Sequence, residues 1–178
     1  MESKVKILGH PLHPLLVHLP VGLWVTSLIF DILALATGMP VWAGASFWMM
    51  VFGSGFALFA AIPGFLDYLF LDMTREAHRI ATYHMLLNLT IVAIFIADIL
   101  WRLSLFVRVP SILYFVPVGP FILSIIAVLL LAISGWLGGQ LVFHHHLGVT
   151  MEHPKASPMG ALNKQNAYRP MEQQPPQA

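Results

Sequence analysis

Four long apolar runs divide this chain, at 15–38, 41–65, 80–101 and 118–143, and short polar or Pro- and Gly-containing stretches separate them. Each run meets the roughly 20 residues that a helix needs to cross the hydrocarbon core of a bilayer. Gly38-Met39-Pro40 marks a tight turn after the first run, and Pro14 suits the first turn of the first helix. Residues 71–79 gather Asp72, Arg75, Glu76, His78 and Arg79, a composition suited to a membrane interface. Residues 102–117 are apolar but punctuated by Pro and Arg, as expected of a connection running along the opposite surface. Short links favour antiparallel neighbours. The pattern therefore predicts an all-α membrane protein, a four-helix up-down-up-down transmembrane bundle. Residues 1–149 make up this domain. Residues 150–178 are rich in Pro and Gln and form a polar cytoplasmic tail with too little apolar surface to join a core. No internal repeat is evident along the sequence.

Composition sharpens this picture. Of 178 residues, 58% are hydrophobic and 10% charged, more apolar surface than a soluble domain of this size could bury. A net charge of +1 creates no field that would attract nucleic acid. The absence of cysteine removes disulfides, thiol chemistry and Cys-ligated iron–sulfur clusters. Ala34-Leu35-Ala36 resembles a signal-peptide cleavage site, but the run before it is too long and carries Pro20 and Asp31, so the first segment is expected to be retained. Placing the N-terminus in the cytoplasm puts Lys4, Lys6, Arg75, Arg79, Lys155, Lys164 and Arg169 inside, and Arg102 and Arg108 outside. This bias predicts a multi-pass protein of the inner (plasma) membrane with both termini cytoplasmic.

With that threading, His10, His13, His18, His78, His84, His144, His145, His146 and His153 all fall at the cytoplasmic side. Imidazole is a common metal ligand and titrates near neutrality. His18 and His84 lie about one turn inside helices one and three, where an unpaired polar group is expensive. In a square bundle these helices are diagonal, with axes roughly 13 Å apart, a span that two imidazoles and an iron can fill. The first expectation is thus a b-type haem electron carrier, with His18 and His84 as axial ligands and His13 or His145 near a propionate. Gly22, four residues beyond His18, would leave room for a porphyrin face, and Asn88, four beyond His84, would orient a ligand. A copper or zinc site using three or four of His13, His18, His84, His145 and Asp67 is an alternative. A non-enzymatic accessory subunit of a larger membrane complex, with histidines bonding between helices, is another. His78, His144, His146 and His153 read most simply as interfacial polar residues. Toward the other end, Asp31 and Asp98 could each bind a proton or pair with Arg102. Gly53, Ala57, Ala60 and Gly64, and later Gly135, Gly138 and Gly139, mark faces for close helix contact. No hydrolase or nucleotide-binding motif is present.

GHPLHPLLVHLPVGLW (9–24), Asp31, GFLDY (64–68), HMLLN (84–88) and GWLGGQLVFHH (135–145) occur in this order. Together they resemble a family of uncharacterised bacterial membrane proteins with four predicted helices, some members of which occur beside Rieske-type or cytochrome modules. By this resemblance His10, His13, His18, Asp67, His84 and His145 match recurring polar positions of the family. The chain departs from the pattern at Gln140, where the family usually has Glu, and in carrying His144 and His146 beside His145. The resemblance implies a bilayer setting and a redox protein or larger complex as partner, and it supplies no reaction. Electron carriage or an accessory role fits these features better than catalysis.

Overall fold

A computed structural model describes residues 3–108 and 115–148. Four helices dominate it: α1 (Leu12–Thr37), α2 (Pro40–Phe70), α3 (Arg75–Arg108) and α4 (Val118–Gly139). A π-turn, Gln140–His144, prolongs α4. A two-stranded hairpin, β1 (Lys6–Ile7) and β2 (His10–Pro11), precedes α1. Leu8 and Gly9 join its strands with φ of 50° and 81°, the positive values that a two-residue hairpin turn of this twist demands.

Local chemistry sets the helix ends. Gly38 closes α1 in the left-handed region, φ 66°, and its N–H donates to the Ala34 carbonyl at 2.9 Å. Pro40 then opens α2, where a missing N–H does no harm. Thr74 caps α3, its hydroxyl accepting from the Ala77 N–H at 3.2 Å, and Glu76 sits in the first turn, where the helix dipole favours an acid. This cap explains why α3 begins earlier than the apolar run at residue 80. The helix simply carries its polar first turns into the interface. At about 1.5 Å per residue α3 exceeds the hydrocarbon thickness, so its ends stand among the headgroups.

α1 packs along α2 and α3 along α4, while α2–α3 and α4–α1 contacts close a square. Each helix is long and apolar enough to span a membrane, yet only 22–28% of its most apolar window is buried. The outward faces carry Val25, Ile29, Phe52, Phe59, Leu129 and Ile133, residues whose solvent must be lipid.

Contrary to the sequence reading, the bundle contains an internal repeat: α1–α2 and α3–α4 are two copies of one hairpin. The buried residues Pro20, Trp24, Ser27 and Asp31 of α1 recur in α3 as Ile91, Phe95, Asp98 and Arg102, with the 71-residue offset that separates Asp31 from Arg102. In the second helices Ser46, Met50, Gly53, Ala57 and Ala60 correspond to Pro120, Ser124, Ala127, Leu131 and Ser134, with the 74-residue offset of Met50 and Ser124. Equivalent residues also touch each other. Trp24 stacks on Phe95 with ring centroids 4.5 Å apart, and Asp31 bonds to Arg102. Contact between equivalent positions places them on a pseudo-twofold axis, here running down the bundle between the diagonal helices α1 and α3.

Close packing at this axis uses the small residues of α2. A Cβ on Gly53 would lie 2.8 Å from the Trp24 indole, and the indole is itself held by Phe95. Gly53→Ala is therefore expected to destabilise the bundle by about 1–3 kcal/mol, measured by denaturant unfolding in detergent, with Gly55→Ala, which meets no neighbour, as the neutral control.

Candidate functional site

The histidines that meet inside the bundle are His13 and His84, equivalent residues of the two hairpins. Their ring centroids are 6.4 Å apart and their planes nearly perpendicular, at 88°. His13 lies in the first turn of α1, because the helix begins at Leu12. Its Nδ1 donates to the Ala60 carbonyl of α2 at 2.8 Å. The Nδ1 of His84 donates to the Ser134 carbonyl of α4 at 3.0 Å, with the Ser134 hydroxyl 3.2 Å away. Ala60 and Ser134 are themselves equivalent. A carbonyl oxygen can only accept, so each ring carries a proton on Nδ1, and a neutral ring then keeps its lone pair on Nε2. Asn88 corroborates this tautomer for His84: its amide N–H lies 3.2 Å from Nε2, and it also donates to the His84 carbonyl at 2.8 Å.

Two glycines, again equivalent, let the rings lie against the helices. A Cβ on Gly64 would fall 2.6 Å from His13 Nδ1, and one on Gly138 would fall 3.1 Å from His84 Cε1. The small-residue faces noted in the sequence thus seat specific side chains, while Gly22, Gly135 and Gly139 meet no neighbour. Gly64→Val should displace the His13 ring from Ala60, seen as loss of its slowly exchanging Nδ1 proton in a nuclear magnetic resonance spectrum.

His18 does not face His84. It is exposed on the outer side of α1 and has no hydrogen-bond partner among the described residues. Helix geometry gives the reason: five residues turn about 140° around the axis, so His13 and His18 cannot share a face. Nor does His145 join the pair. It follows the π-turn, its ring 4.9 Å from that of His144, and its N–H donates to the Gln140 carbonyl. His10 is exposed and bonds the Leu8 carbonyl at 3.1 Å. His78 stacks on Tyr68, whose hydroxyl lies 3.1 Å from His78 Nε2 and 3.0 Å from Thr82 Oγ1. His153 lies outside the described residues, as does the tail from residue 149. Among the described residues no group of three or more His, Asp or Glu could hold a metal ion, so the many-ligand copper or zinc arrangement is not assembled.

Asp67 serves the N-terminal segment. Its carboxylate accepts from the Ser3 hydroxyl at 2.6 Å and from the Lys4 N–H at 2.8 Å, tying residues 3–11 across the end of the bundle near His13. Asp67→Ala should release this segment, read as faster amide exchange over residues 3–11 with α1 protection unchanged.

The second polar layer joins both acids to one base. Arg102 forks onto Asp31, Nη1 to Oδ1 at 3.0 Å and Nη2 to Oδ2 at 2.6 Å, while its Nε donates to Asp98 Oδ1 at 2.8 Å. Ser124 donates to Asp98 Oδ2 at 2.8 Å. Asp31 and Asp98 are fully buried and Arg102 nearly so, which makes Arg102 a core residue of α3 and not part of an exposed connection. Sequence reading found all three positions but not the triad, because only the fold shows that Asp31 and Arg102 occupy equivalent sites on one axis.

Fold and site together define a four-helix integral membrane protein with one imidazole pair and one ionic triad on its axis. The chain belongs to the family described as "Predicted membrane protein (DUF2231)", whose model matches residues 9–151. No curated protein and no solved structure matches it significantly.

Proposed function

We propose that this membrane protein binds one b-type haem iron between His13 and His84 and carries electrons. The observation that carries the reading is the pair itself: two equivalent imidazoles on the axis, each with Nδ1 donating to a backbone carbonyl and Nε2 left as the donor atom. Such a carbonyl contact to the distal ring nitrogen is the usual support of a ligating histidine, fixing its tautomer and aim. His13 and His84, with ring centroids 6.4 Å apart, would hold the iron, each through its Nε2. Two neutral imidazoles also suit iron in a porphyrin, which supplies reversible one-electron transfer.

The chain's own residues have defined tasks. Ala60 and Ser134 hold the rings through their carbonyls, and Gly64 and Gly138 admit them against α2 and α4. Asn88 occupies the lone pair of His84 Nε2, and its amide must turn away when that nitrogen takes a metal. The outward apolar faces seat the bundle that carries the pair in lipid.

Optical spectra of the detergent-purified protein, oxidised and dithionite-reduced, together with iron analysis, test the reading. A low-spin spectrum at one iron per chain is expected. A preparation from haem-replete cells that shows neither iron nor a Soret band, and takes up no added hemin, removes the proposal. The histidine pair would then serve as an interhelical fastening of an accessory subunit.

A further inference from the structure

We propose that Asp98 is a proton-binding site inside the membrane-spanning bundle, alternating between carboxylate and carboxylic acid, with the Ser124 hydroxyl turning to follow it. Asp31, Asp98 and Arg102 together carry one negative charge in excess when both acids are ionised. An uncompensated charge amid hydrocarbon is expensive, and a proton removes it.

The geometry selects the acid. Both oxygens of Asp31 are taken by the guanidinium fork, the arrangement that most favours a carboxylate. Asp98 receives only Nε, on Oδ1, and its Oδ2 faces the Ser124 hydroxyl. That hydroxyl has two acceptors within reach, Asp98 Oδ2 at 2.8 Å and Met50 Sδ at 3.9 Å, and a single proton to give. With Asp98 ionised, Ser124 donates to Oδ2. When a proton from water forms an O–H bond at Oδ2, that bond donates to Ser124 Oγ, and the serine's own proton turns to the Met50 sulfur. No heavy atom needs to move, and the triad passes from one net negative charge to none. The charged groups facing Asp98 are Asp31 from α1 and Arg102 from its own helix, while α2 and α4 contribute Met50 and Ser124, neither of which titrates. Asp98 lies about 21 Å along α3 from His84, so this site stands apart from the histidine pair.

Infrared difference spectra of the full chain in liposomes, recorded across bulk pH in water and deuterium oxide, provide the test. A protonated-carboxyl band that shifts on deuteration is expected at the acid end and should disappear reversibly as pH rises. Asp98→Asn imitates the protonated acid, accepting from Arg102 Nε and donating to Ser124. It should keep its helix content, unfold no earlier than wild type and lack the band. Ser124→Ala should keep the band at a higher frequency, because the acid loses its hydrogen-bond acceptor. A wild-type protein with no such band wherever the bundle stays folded overturns the proposal, as does a band that survives in Asp98→Asn. Loss of fold in Asp98→Asn also counts against it, and an unshifted band in Ser124→Ala removes the role of the serine.

Discussion

Replacing Arg102 with Met should bring unfolding to far milder conditions, with a loss of about 3–5 kcal/mol in a reversible denaturation series in mixed micelles. Methionine is apolar and unbranched but two atoms shorter, so some packing is lost with the charge, and the combined variants below separate the two. Asp31 loses the fork that takes both its oxygens, and Asp98 loses the cation on its Oδ1. Two acidic side chains then remain buried, with Ser124 their one hydrogen-bond partner among the described residues. Arg102→Lys should recover little of the loss, because one ammonium cannot reproduce three N–H contacts set by a planar group. Combining Arg102→Met with Asp31→Asn and Asp98→Asn should restore most of the stability, since the penalty lies in the orphaned charges and not in the absence of a salt bridge. A triple variant as unstable as Arg102→Met alone would show that shape, not charge, governs this layer.

Histidine substitutions should divide sharply under the proposed function. His13→Ala and His84→Ala are each expected to abolish the low-spin haem spectrum, whereas His18→Ala and His145→Ala should leave it intact. Both members of the pair lie on the axis with Nδ1 committed to a carbonyl, and the loss of either leaves one coordinating nitrogen. His18 faces away from the core, and His145 lies past the end of α4. Asn88→Leu provides a finer measurement. Removing the amide that holds His84 Nε2 should leave the spectrum low-spin and change hemin affinity, because the nitrogen no longer has to exchange one partner for another. Loss of the spectrum in His18→Ala, with retention in His13→Ala, would refute the pairing.

The four spans were legible because each apolar run exceeds a bilayer's thickness and because Gly38-Met39-Pro40 leaves no room for anything but a tight reversal. The start of α3 was less legible, since Arg75, Glu76, His78 and Arg79 are polar all round and read as interface, although Thr74 caps a helix there. The common end of the histidines was readable, but neither exact depth nor facing was. His13 is level with its equivalent His84, whereas His18 lies five residues, about 7.5 Å, further along α1 and turns away from the axis. A signal for the correct choice does exist in the sequence. His13-Pro14-Leu15-Leu16 and His84-Met85-Leu86-Leu87 share the pattern His-x-Leu-Leu, and an aromatic residue follows each histidine by the same interval, Trp24 and Phe95. Gly64 and Gly138 match as well, but the other equivalences include Asp with Arg, Ser with Asp and Met with Ser, so similarity of residue type is too sparse to reveal the repeat. Matching burial and mutual contact reveal it.

The pseudo-twofold axis also explains why the two hairpins have to differ. A dimer of identical hairpins sets each axial residue against its own copy. Aromatic rings and neutral imidazoles tolerate this, and Trp24–Phe95 and His13–His84 remain like against like. An acid at position 31 cannot, because its copy would bring a second acid into the same dry space. Joining both hairpins in one chain frees the second position to become Arg102. The charged layer is therefore an arrangement that only a fused pair can hold, and an isolated α1–α2 hairpin pairing with itself would meet carboxylate against carboxylate at Asp31.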